Sequence, residues 1–145
     1  MDKQQLAPII IGKLLHINGM IQRHGNKVLI PFGLNQQQFS ILFEIEKAKK
    51  VKQKEMVNRL SLEKAHVSKV VKKLHNMELI TIVASDEDKR SYWLIPTQKG
   101  KQLLNECVQV FRKWNHEWME SLEDKQLDTM LENLTHLQAA LKKNT

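Results

Sequence analysis

Apolar residues recur along the first stretch of the chain at Ile10, Leu14, Ile17 and Ile21, spacings of 4, 3 and 4 that place them on one face of a helix running from Lys3 to about His24. Pro8 is expected in its first turn, where a missing amide hydrogen does no harm. The segment GNKVLIPFGLN, with Gly25, Pro31 and Gly33, breaks the period and predicts an irregular connection. Asn35 suits the N-cap of a second helix with Phe39, Leu42 and Phe43 on one side and Ile41 and Ile45 beside them. The lysines from Lys47 to Lys50 mark its basic end, favourable against the carbonyl pole of the helix dipole.

A short amphipathic helix follows over Lys52 to Leu60, burying Met56, Val57 and Leu60, and Ser61 to Lys64 separate it from the next. That next segment, AHVSKVVKKLHNM, sets Val67, Val70, Val71 and Leu74 at i, i+3, i+4 and i+7. Its opposite face offers His66, Lys69, Lys72 and Lys73, with Ser68 at the edge. Two helices joined by a tight turn, the second apolar behind and basic in front, make a helix-turn-helix. The period then shortens: LITIVA and SYWLI are rich in β-branched and aromatic residues, and the polar run SDEDKR between them predicts a hairpin with a charged tip, the wing of a winged helix.

Thr97 is a natural N-cap for a long helix carrying Leu104, Cys107, Val108, Phe111, Trp114 and Trp118, and a final helix from about Glu123 carries Leu127, Met130, Leu131, Leu134, Leu137 and Leu141. The expected fold is mainly α with a small β-hairpin wing: a winged helix-turn-helix lobe plus long N- and C-terminal dimerisation helices. It is read as a single domain over 1–145, with 1–34 and 102–145 as dimerisation helices and 35–101 as the winged lobe, the helix-turn-helix at about 52–77 and the wing at about 79–95.

Charge sharpens this picture. The chain carries +7 at neutral pH, yet residues 47–73 alone hold ten Lys and Arg against two Asp and Glu. More than the whole surplus therefore lies in this one stretch, the footprint of a polyanion-binding surface, with a merely solvated lysine face as the alternative.

Catalytic patterns are missing. The five glycines fit neither a dinucleotide fingerprint nor a P-loop. His116-Glu117 opens like a zinc-protease motif, but Glu120 stands where the second imidazole would come; no metal is expected, zinc held partly by a glutamate being the alternative. Cys107, the only cysteine, lies on an apolar stripe and reads as a buried small hydrophobe rather than a reactive thiol. Asn133-Leu134-Thr135 is a glycosylation sequon by letter only. With no signal-peptide pattern and no apolar run long enough to span a bilayer, a cytoplasmic protein is expected, without membrane association, cofactor or enzymatic activity.

A helix fits the major groove, its first residues reaching base edges and later ones phosphates. On this geometry His66, Ser68 and Lys69 are base-edge candidates, and Lys72 and Lys73 phosphate contacts. Lys52 and Lys54 would flank the backbone at the start of the preceding helix. In the wing, Arg90 has the reach for a narrow minor groove, with Lys89 beside it and Asp88 orienting a neighbouring cation; a solvated turn carboxylate is the plainer alternative for Asp88.

The strings VKQKEMVNRLSLEKAHVSKVVKKLHNMELITI and SDEDKRSYWLIPTQKGKQLL, above all Asp88-Lys89-Arg90 followed by a strand and Thr-x-x-Gly at Thr97 to Gly100, resemble the MarR family of winged-helix transcription regulators. The resemblance implies an obligate homodimer, two winged lobes on a palindromic double-stranded operator, and release of DNA by a small-molecule effector. It assigns the recognition helix to Lys64 to Met77, the wing-tip arginine to Arg90 and the carboxylate that holds it to Asp88. The effector is expected in a crevice beside the first helix, near His16, Met20, Arg23 and Phe32. A repressor is expected, with a winged-helix protein-interaction module of non-specific DNA affinity as the alternative function. Two departures stand out: Glu78 occupies a position relatives fill with glycine, and Asp86 and Glu87 make the wing acidic.

Dimerisation also follows from the pattern. Leu6, Ile10, Ile17, Trp114, Trp118, Met130, Leu134, Leu137 and Leu141 offer more apolar surface than one small lobe can cover, and a C2 pair buries it.

Overall fold

The computed structural model describes residues 1–88 and 90–145, so the expectation placed on Lys89 lies outside the described residues. Two compact units are present, Met1–Cys107 and Val108–Thr145.

The first unit opens with helix α1, Lys3–Val28. Asp2 caps it reciprocally with Gln5: Gln5 N donates to Asp2 Oδ1 at 2.8 Å and Asp2 N to Gln5 Oε1 at 3.0 Å. Pro8 sits inside the helix, beyond the first turn where it was expected. The helix also runs a turn past His24, through Gly25 and Asn26, which the sequence reads as a break. Packing explains this. A Cβ at Gly25 would collide with the Gln36 carboxamide, so the glycine serves a close helix crossing. Asn26 Oδ1 accepts the Gln36 N–H at 2.8 Å. A 3-10 turn, Ile30–Phe32, then leads into helix α2, Gln36–Ala48, capped by Asn35 as expected, with Gln38 completing the box.

In α2 the fully buried side chains are Ile41, Leu42 and Ile45. Phe43, placed on the core side by the sequence reading, is exposed, because the buried arc is centred on Ile41, Leu42 and Ile45. Strand β1, Val51–Lys52, was not foreseen, and it moves the start of helix α3 to Gln53–Leu60. Met56 is buried there, while Val57 and Leu60 are only half-buried. Helix α4, Lys64–Asn76, buries Val67, Val70, Val71 and Leu74.

The end of α4 is a Schellman turn: Leu79 N donates to Leu74 O at 3.0 Å and Glu78 N to His75 O at 2.9 Å. Glu78 takes φ +62 there, the conformation that a relative's glycine would adopt freely. Strands β2, Ile80–Ala84, and β3, Tyr92–Pro96, pair antiparallel, and β1 joins the other side of β3, giving the order β1-β3-β2. Val51 and Ile82 both face Leu94 across the sheet, the core row of the wing's root.

Helix α5, Gln98–Met119, starts against this root. Thr97 Oγ accepts the Gly100 N–H at 3.0 Å, the expected cap, and donates to Glu78 O at 2.7 Å. Gly100 is tight against the Leu79 carbonyl, leaving no room for a side chain. The first unit closes at Cys107, which is fully buried. In the second unit are the later turns of α5 and helix α6, Asp124–Lys143, capped by Glu123 with Gln126.

Candidate nucleic-acid interface

Helix α4 has two faces of opposite character. The apolar row at Val67, Val70, Val71 and Leu74 locks it to the core, so Lys64, Ser68, Lys69, Lys72 and Lys73 are left exposed together on the other side. His66 departs from that face. It is half-buried one turn before Val70, and its Nε2 is enclosed without a hydrogen-bond partner among the described residues.

The wing tip is built around Asp88. Its Oδ1 accepts the Arg90 backbone N–H at 3.0 Å and its Oδ2 the Ser91 hydroxyl at 3.1 Å, while its carbonyl accepts the Ser91 N–H at 2.9 Å. Asp88 thus holds Arg90 through the main chain. These hydrogen bonds, the Arg90 amide first and the Ser91 hydroxyl second, with the charges of Lys54 and Lys52 adding to them, keep the Asp88 carboxyl below its ordinary value. The Arg90 side chain is exposed, as are Asp86 and Glu87.

Between the wing and the helix-turn-helix lies a cleft of about 590 Å³. Lys52 from β1, Lys54 from the start of α3, Lys64 from the start of α4, and Asp88 and Arg90 from the wing converge on it. Five of the expected binding residues, drawn from β1, α3, α4 and the wing, are therefore brought to one place. The sequence reading missed Asn58 and Tyr92 on its walls. Asn58 lies four residues after Lys54 on the same helix, a spacing that points to it once Lys54 is placed. Tyr92 carries no charge and gave no comparable signal.

The other expected sites lie elsewhere. His16, Met20 and Arg23 are exposed on α1, and Phe32 is half-buried in the 3-10 turn. Leu6, Ile10 and Ile17 are each more than a third exposed, as are Trp118, Met130, Leu134 and Leu141, while Trp114 and Leu137 are half-buried. His116 Nε2 stands 3.6 Å from Glu120 Oε1, and among the described residues no group of three or more His, Cys, Asp or Glu side chains is placed to hold a metal ion. Burial raises the Cys107 thiol to about 11, so it stays protonated at neutral pH. No helix among the described residues is long and apolar enough to cross a membrane.

Residues 34–92 match the family model described as MarR family. Over this segment the chain is similar to the MarR family. The match takes in α2, β1, α3, α4, β2 and the wing tip, and with them the residues that line the cleft. The chain is 23% identical over 108 residues to the HTH-type transcriptional regulator BilQ of Clostridioides difficile, covering 74% of this chain and 73% of that protein. Its fold is shared with the transcriptional regulator BldR from Sulfolobus solfataricus, with a TM-score of 0.85 at 23% identity over 97% of this chain and 99% of the other. A MarR mutant from E. coli, solved with operator DNA, superposes with a TM-score of 0.79 at 22% identity over 94% and 99% of the two chains. BilQ and BldR are both named as transcriptional regulators.

Proposed function

We propose that the chain is a dimeric, sequence-specific DNA-binding repressor of MarR type, with α4 in the major groove and the wing at the adjacent minor groove. The observation that carries this reading is the exposed lysine row of α4, backed by a fully buried apolar row that fixes its orientation. Lys69 and Ser68, near the start of the helix, read base edges; Lys72 and Lys73 meet phosphates. Lys52, Lys54 and Lys64 draw the backbone toward the cleft, and Arg90 reaches the minor groove, with Lys89 assigned beside it. The E. coli MarR mutant solved with operator DNA shares this fold, which supports the assignment.

Pairing is supported by the apolar side chains left exposed on α1, α5 and α6. A twofold pair would set two recognition helices about 34–36 Å apart, one turn of the duplex. A small-molecule effector near His16, Met20, Arg23 and Phe32 is the proposed release signal, and a thermal-shift screen in which no compound alters stability or DNA affinity would remove it.

The DNA reading is tested by Lys69→Ala and Arg90→Ala. Each is expected to weaken operator binding by about 1–3 kcal/mol with the urea midpoint unchanged. Fluorescence anisotropy at fixed salt, with random duplex as competitor, measures this; wild-type affinity in both variants would overturn the placement.

A further inference from the structure

The outer side of the sheet differs from its core side. Alternation along β3 turns Leu94 and Pro96 into the core and leaves Trp93 and Ile95 half-buried on the other side. Across the three strands Trp93 lies between Lys52 of β1 and Val83 of β2. Lys50 Nζ stands 4.4 Å from the centre of the Trp93 ring and Lys52 Nζ 5.2 Å. Both lie within the range at which the negative face of an indole attracts an ammonium.

An exposed lysine ordinarily sweeps through solvent, and fixing it against a phosphate costs side-chain freedom. Two lysines already gathered on one ring have given up part of that freedom beforehand. Two ammoniums held at one ring carry like charges that repel, and an anion drawn to them relieves that repulsion. Among the described residues neither ammonium is in an ion pair. Lys52 is also a wall of the cleft it shares with Lys54, Lys64 and Arg90. The cationic surface is therefore continuous from the start of α4 to the root of the wing, and this continuity favours a duplex backbone over an acidic peptide as the occupant.

We propose that Lys50 and Lys52, positioned by Trp93, form a phosphate clamp at the root of the wing that extends the DNA-binding surface beyond α4 and Arg90. The clamp rests on the DNA-binding reading and adds Lys50 and Trp93 to it. Lys50 meets the phosphate, and Trp93 is a positioning residue.

Phosphate contacts carry no sequence information, so a random-sequence duplex is a sufficient probe. Fluorescence anisotropy of the full chain between about 50 and 200 mM salt gives the slope of log K against log salt, whose magnitude falls by about 0.9 for each phosphate that the protein no longer neutralises. Lys50→Gln is expected to make the slope shallower by about that amount. Trp93→Leu is expected to do so at least as strongly, and Trp93→Phe, which keeps an aromatic face, to restore most of it. A steep wild-type slope that Lys50→Gln leaves unchanged overturns the clamp while sparing the DNA reading; a wild-type chain that binds no duplex at any salt overturns both. Trp93→Phe behaving like Trp93→Leu removes the positioning role. If Lys50→Gln abolishes binding of polyglutamate but leaves duplex binding intact, the occupant is an acidic protein and the clamp is overturned. Lys50 is exposed, so its variant stays decisive even if Trp93→Leu fails to fold.

Discussion

Glu78 concentrates in one residue the difference between having the right fold and having it without strain. The turn after α4 demands a left-handed residue, because Leu79 N must reach back to Leu74 O before the chain enters β2. A glutamate at φ +62 carries the Cβ clash that glycine avoids. Its compensation is small: Lys99 Nζ lies 3.9 Å from Glu78 Oε2, but both side chains are mostly exposed, and such pairs contribute little. More support comes from the main chain, where Thr97 Oγ and Lys99 Nζ donate to the carbonyls of Glu78 and Met77 at 2.7 and 3.1 Å. Those bonds survive a side-chain change. Glu78→Gly is therefore expected to stabilise the chain by about 1 kcal/mol, read as a raised urea midpoint with unchanged slope. A lower midpoint would show that the ion pair outweighs the strain.

At the scale of elements, the winged lobe was legible because its periods are unambiguous. The four-residue apolar row of α4 could only face inward, and the switch to β-branched residues at Leu79 could only be a strand. The failures have local physical causes. Gly25 looks like a helix end, yet it marks where Gln36 crosses α1 closely, an approach between residues eleven apart that no local pattern contains. Strand β1 has two residues, too few to show alternation, and exists because β3 offers a partner edge. His66 was assigned to the solvent face at the margin of the helical arc, where the spacing rule has least resolving power. In the wing, the expected tie between Asp88 and a cation is realised through the Arg90 amide. Asp88→Ala should accordingly loosen the tip and weaken duplex binding while leaving the urea midpoint unchanged, as befits an exposed turn. Because the carboxyl sits below its ordinary value, its support is complete above that value and disappears only as pH falls through the lower folded one. The ratio of wild-type to Asp88→Asn affinity should stay flat from about pH 5 to 8; a slope in that window would assign the effect to another group.

For the whole molecule, charge and apolar surface divide the labour along the chain. Residues 47–73 hold the cationic surplus, whereas α1 and α6 carry exposed Leu, Ile and Met side chains that a lone subunit would leave in water. Joining two lobes in the proposed pair would turn the second DNA-binding step into an intramolecular event, and that gain in avidity, on the order of 100-fold or more, would need no new interaction with the duplex. Replacing Leu134 and Leu141 by lysine tests the proposed pairing at positions outside the helix-turn-helix: both lie on α6, both are exposed in the single chain, and burying two ammoniums in an apolar interface would cost far more than leaving them in water. The double variant is expected to sediment as a monomer with helix content retained, and to bind a palindromic site roughly 100-fold more weakly while binding a half-site as wild type does. A wild-type chain that already sediments as a monomer, or a double variant that keeps full palindrome affinity, would detach DNA binding from pairing and leave the apolar faces of α1 and α6 to some other partner.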